Sequence, residues 1–95
     1  MIPPQVVSAI LLDSTNLVIN FSEDLNGNTA QNKNNYSINN GISVSSAVLS
    51  GTQVTLTTSI HVPGSYTVTV NNVTDLAGNV VDPLNKSANY VSVYD

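Results

Sequence analysis

The chain has 95 residues, 41% of them hydrophobic and only 8% charged, with a net charge of −4. That length suits one domain around one core. There is no arginine, and Lys33 and Lys86 are the only two cations; this excludes neutralisation of a phosphate backbone and attraction to an anionic membrane surface, and no apolar run reaches the roughly 20 residues of a spanning helix.

Asn, Ser and Thr take the solvating role that charges usually hold. Cysteine is absent, so the fold must be held by packing and hydrogen bonds alone. This composition suits an exported or surface protein of a bacterium. Residues 1–5 read as the remnant of a linker, and 6–95 as a single domain.

Nearly every segment reads as strand or turn. Residues 6–12 form a first apolar strand, and residues 13–16 a turn of Asp, Ser, Thr and Asn, whose side chains bond back to their own backbone. Leu17, Ile19 and Phe21 alternate with Val18 and Asn20, a period of two that predicts a strand with one buried face. Residues 22–35 are polar and Asn-rich and read as a loop, with room for one helical turn between residues 24 and 33. Residues 36–38 are a short third strand. Asn40 and Gly41 tolerate positive φ and signal a hairpin into a fourth strand, residues 42–49. Ser50 and Gly51 turn into a fifth strand, residues 52–58. Residues 59–65 form a corner, and a sixth strand runs over residues 66–73. A short acidic loop, residues 75–79, and a turn at Asp82 and Pro83 lead to a seventh strand over residues 87–94.

Seven short strands at spacings of about ten residues predict an all-β protein: an Ig-like β-sandwich of about seven antiparallel strands in two sheets, with Greek-key connections. The predicted inward set is Leu17, Ile19, Phe21, Val44, Val54, Leu56, Tyr66, Val68, Val70 and Leu76. The first and last strands offer apolar residues on both faces. Tyr66 follows a Pro63-Gly64 corner and opens a late strand, the layout of a tyrosine corner, in which the ring fills the core edge and the hydroxyl caps the corner backbone.

The residues PPQVVSAILLDSTNLVINFSEDL, followed by PGSYTVTVNNVTDLAGNVV, resemble the bacterial Ig-like domain of the SbsA (S-layer) type. The shared features are Phe21, Ser22 and Glu23 closing the second strand, the Pro-Gly-x-Tyr block over residues 63–66, and the Asp-x-x-Gly-Asn block over residues 75–79. The resemblance spans nearly the whole chain. One departure is Asp24, at a position where the pattern often has Pro, which bears on the shape of the following loop. The resemblance implies a non-catalytic spacer or interaction module of an S-layer, an adhesin or a carbohydrate-active enzyme. It implies a place at the cell surface or in the secreted fraction, with neighbouring domains of the parent chain as partners. Binding of a polysaccharide or a surface protein is the alternative, as is a calcium-stiffened adhesin repeat.

Candidate site residues fall in three groups. Glu23, Asp24, Asp75, Asn79 and Asp82 lie in two loops that an Ig-like sandwich brings to one end. They could supply oxygens to calcium, which takes six to eight. The competing reading is a hydrogen-bonded loop in which Asp75 accepts from backbone N–H groups. Tyr36, Tyr90 and Tyr94 could present rings to a sugar, or pack against a neighbouring module. Phe21, Tyr66, Gly64 and Gly78 are structural. His61, the sole histidine, lies between Ile60 and Val62 with no partner nearby in sequence and reads as an exposed loop residue. No catalytic residue is expected.

Overall fold

A computed structural model describes residues 2–94. Seven strands carry the fold: β1 (Val6–Asp13), β2 (Asn16–Phe21), β3 (Tyr36–Ile38), β4 (Val44–Ser50), β5 (Gln53–Thr58), β6 (Gly64–Val70) and β7 (Ser87–Ser92). They form a four-stranded sheet in the order β1-β2-β5-β4 and a three-stranded sheet in the order β3-β6-β7. All ladders are antiparallel. This is the four-plus-three arrangement of an Ig constant-type sandwich, with three connections crossing between the sheets.

Alternation builds the core. Leu17, Ile19 and Phe21 of β2 face Val54 and Leu56 of β5 along one inner surface, and Tyr66, Val68 and Val70 of β6 close over them; all eight are buried. Burying each such aliphatic side chain stabilises the fold by about 1.5–3 kcal/mol. Val44, predicted inward, is only partly buried and packs at the margin.

Three expectations are corrected. Leu76 is 72% exposed. Val73 and Val81 fill the interior beneath it instead, joined by a bond from the Val81 amide to the Val73 carbonyl, 2.8 Å. Asn40 and Gly41 do have positive φ, 59° and 80°, but they join two sheets. β3 pairs with β6 and β4 with β5, so the turn is a crossover and not a hairpin. The sixth strand ends at Val70, because Asn72 adopts φ 60° and turns the chain.

The first strand was ambiguous for a physical reason. Its pairing with β2 shifts register between Val6 and Ser8 and again between Leu11 and Asp13. Each bulge adds a residue and flips the in–out parity. Val6 and Leu11 are therefore both buried although they differ in parity, and Val7, Ile10 and Leu12 face out.

The link between β2 and β3 folds into one short helix, α1 (Gly27–Ala30), and a 3₁₀ turn, Lys33–Asn35. Asn26 and Asn32 cap them by accepting from the amides of Asn28 and Asn34. This link meets the β6–β7 connection through a bridge between Leu25 and Asp75. The Asp82 amide bonds the Pro4 carbonyl at the same pole. At the far pole, the Tyr94 hydroxyl donates to the carbonyls of Leu11 and Leu12, at 3.2 and 2.9 Å.

Candidate functional site

The acidic loop is held by its own donors. The Asp75 carboxylate accepts from the amide of Ala77 at 3.0 Å, from the amide of Asn79 at 2.8 Å and from Asn79 Nδ2 at 2.9 Å. These bonds, the Asn79 side chain foremost, lower the Asp75 pKa. Glu23 faces Asp75, and that contact, followed by desolvation, raises the Glu23 pKa. The two shifts are coherent: one contact between Glu23 and Asp75 raises the first value and helps to lower the second.

Asp82 belongs to a separate turn. It accepts from the Leu84 amide and from Asn85 Nδ2, both at 3.0 Å, and its pKa is lowered, chiefly by Asn85. Asp24 is exposed. Glu23, Asp75 and Asn79 thus come together, with Asp24 close enough to Glu23 to raise its pKa further, whereas Asp82 braces its own turn. Among the described residues no group of three or more His, Cys, Asp or Glu side chains is placed to hold a metal ion. Three N–H donors occupy lone pairs of Asp75, the arrangement of a carboxylate that holds its own loop shut.

The three tyrosines do not share an exposed face. Tyr36 and Tyr90 are 5% and 6% exposed, which removes both rings from a sugar-stacking surface. The Tyr36 hydroxyl donates to the Ala30 carbonyl, and burial pushes its pKa up. Tyr94 anchors the end of the chain to β1. Tyr66 donates to the Val62 carbonyl at 2.7 Å, four residues upstream, closing the corner between β5 and β6. Gly64 opens β6, and Gly78 adopts φ 89° in the acidic loop.

His61 is the largest departure from expectation. It is 0% exposed. Its Nδ1 lies 3.1 Å from the Ser14 carbonyl and 3.3 Å from Thr58 Oγ1; its Nε2 lies 2.8 Å from the Tyr90 hydroxyl. A carbonyl can only accept, so the Nδ1 proton points at Ser14 and Nε2 accepts from Tyr90. The ring sits edge-on to Tyr66, with centroids 4.7 Å apart. Thr58 is a local partner, but the two that bury the ring lie 47 and 29 residues away, beyond the reach of neighbouring sequence.

One depression borders this knot on the outer side of the three-stranded sheet. It has a volume of about 530 Å³ and lies over β6 and β7 beside the end of β3, lined by the outward residues Asn39, Ser65, Thr67, Asn89 and Val91 together with the buried Tyr66 and Tyr90. Of the three tyrosines that the sequence offers for sugar contact, Tyr90 is the one in this lining.

The sheet order and the tyrosine corner define an Ig-like sandwich domain. The family model for the bacterial Ig-like domain matches residues 2–91, and the chain belongs to that family. It resembles the N-terminal part of the bacterial S-layer protein SbsC, at 26% identity and a TM-score of 0.84, covering 95% of this chain and 23% of that one. Domains 1–6 of surface layer protein SbsC give 26% identity and a TM-score of 0.85 over 96% of this chain and 14% of that one. The chain therefore spans under a quarter of the S-layer chains it matches. CopC from Methylosinus trichosporium OB3b, at 17% identity and a TM-score of 0.59, covers 97% of this chain and 93% of that one; this likeness bears on the fold alone. A comparison with curated proteins finds no match.

Proposed function

We propose that this chain is a non-catalytic structural module of a larger bacterial surface protein, a strut that sets distance between its neighbours. The observation that carries this reading is the placement of the two ends. Pro4 is tied to the β6–β7 connection beside the start of β1, and Tyr94 is tied to Leu11 and Leu12 beside its finish. The two attachment points are therefore separated by nearly the length of β1, about 23 Å at roughly 3.3 Å per residue. A chain passing through such a module advances along its long axis.

The family match and the S-layer proteins among its structural relatives support the surface setting. The non-catalytic reading is supported by the commitment of the sole histidine to the interior and of Asp75 to its own loop. The test is a fusion of two copies, joined from residue 94 of one to residue 2 of the next, studied by small-angle scattering. The expected result is a rod with a maximum dimension near twice the 41 Å long axis of one copy. Side-by-side collapse, with a maximum dimension close to that of one copy, overturns the strut.

A further inference from the structure

We propose that the groove on the outer face of the three-stranded sheet binds a neutral carbohydrate, with Asn39, Thr67 and Asn89 as its polar floor. The ladder puts these residues in one row. Thr67 pairs directly with Asn89, and Ser65 with Val91. β3 stops at Ile38, so Asn39 lies at the rim where a longer strand would have continued, and its amide still bonds the Thr67 carbonyl, 3.3 Å. The early end of β3 is what opens the depression.

The size and lining select the ligand class. A volume of about 530 Å³ falls within the roughly 300–1,000 Å³ of small-molecule sites. Besides the buried Tyr66 and Tyr90, the lining holds two carboxamides, two aliphatic hydroxyls and the apolar Val91, with no charged side chain. Hydroxyl-rich rings need alternating donors and acceptors along one edge and an apolar contact for their C–H faces. An ionic ligand would find no countercharge here.

The polar groups are held in place before any ligand arrives. The Thr67 hydroxyl donates to Asn89 Oδ1 at 2.7 Å, and the Thr67 amide donates to Asn39 Oδ1 at 2.9 Å. A backbone amide can only donate, so Asn39 must present its oxygen to the sheet and its Nδ2 elsewhere. Among the described residues, neither Asn39 Nδ2 nor Asn89 Nδ2 has a hydrogen-bond partner. Fixed donors bind at a lower entropic cost than mobile ones.

The same bonds decide against an added peptide strand. Strand addition requires free backbone groups along a sheet edge. On β6 beyond Ile38, the Thr67 amide is taken by Asn39 and the Ser65 carbonyl by Asn40 Nδ2, 3.1 Å. The groove is open to a ligand that reads side chains and closed to one that reads backbone.

The inference does not depend on the strut reading, and its test is separate. The ¹⁵N-labelled chain is titrated with neutral hexasaccharides of glucose, of mannose and of N-acetylglucosamine, each up to about 10 mM, enough to detect millimolar binding. For at least one sugar, saturable shifts are expected in the Asn39 and Asn89 side-chain amides and in the backbone signals of Thr67 and Val91. Asn89→Ala and Thr67→Val, each with an unchanged spectrum elsewhere, should weaken that binding about tenfold by removing one fixed bond. Silence from all three sugars, shifts centred away from this row, or equal binding by both variants overturns the proposal.

Discussion

His61 ties three separate parts of the chain into one polar knot inside an aliphatic interior. Its ring bonds the β1–β2 turn at Ser14, the end of β5 at Thr58 and β7 at Tyr90. Deleting the ring removes those bonds and leaves a cavity, so His61→Ala should cost about 2–5 kcal/mol. Tyr90→Phe strands only Nε2 and should cost about 1–3 kcal/mol. The two groups touch, so a double-mutant cycle in urea should return a coupling of about 0.5–3 kcal/mol; strict additivity would show that the knot contributes nothing specific. The carboxylates set the response to acid. Asp13, Asp75 and Asp82 all have pKa values lowered below the ordinary 3.8 by local donors: the Thr15 amide first for Asp13, and the Asn79 and Asn85 side chains first for the other two. A lowered folded-state value means that the unfolded chain takes up more protons in acid. The stability these groups contribute is present above pH 3.8 and lost as pH falls through their folded values. Glu23 has the opposite sign, because its value is raised from 4.5. Its contribution is full below that value and fades as pH rises through the folded one. Three groups outweigh one, so melting temperatures should drop below pH 3.8. Asp75→Asn should flatten that drop; an unchanged acid slope in this variant would refute the assignment.

The acidic loop is an element defined by one carboxylate and one glycine. Gly78 supplies φ 89° while its amide bonds the Asp75 carbonyl at 3.1 Å. No atom lies within 4 Å of an added Cβ, so the cost of Gly78→Ala is backbone strain alone, about 1 kcal/mol. A denaturation midpoint that does not fall would mean that the loop relaxes without strain. This loop was legible in the sequence because its bonds are local: Asp75 reaches residues two and four positions on. Tyr66 was legible for the same reason, since its acceptor lies four residues away. His61 and the groove were not. The groove depends on a cross-sheet register that places Asn39 and Asn89 on either side of Thr67, and register is set by pairing between distant strands. Alternation in β2, β5 and β6 predicted the inner face correctly, whereas two bulges hid it in β1. The reading of Leu76 as core failed because Val73 and Val81, drawn together across the loop, took the space first. At the open end of β6, the side chains of Asn39 and Asn40 occupy the backbone groups that a short β3 leaves bare. A chain with few charges thus blunts an edge with amides where others use lysine.

For the whole molecule, the two attachment points decide how a load is carried. Force enters β1 at its start and leaves β7 at its finish, and these neighbouring strands run in the same direction, with Val6 beside Asn85 and Leu11 and Leu12 beside Tyr94. Each strand is drawn along its own axis, β1 against β2 and β7 against β6. Ladder hydrogen bonds lie perpendicular to the strands, so an axial pull strains a whole ladder at once. Six residue pairs hold β1 to β2 and six hold β7 to β6. Anchors at residues 5 and 22 give the contrasting geometry. These positions sit together at one pole, where the Ser22 amide bonds the Gln5 carbonyl at 2.9 Å. Pulling there peels the same β1–β2 ladder open one rung at a time. Single-molecule pulling should therefore show a clearly higher unfolding force from residues 2 and 94 than from residues 5 and 22, with a single rupture per module in the first case. Equal forces in the two geometries would mean that the ladders do not bear load in parallel, and a strut built this way would yield as easily along its axis as across it.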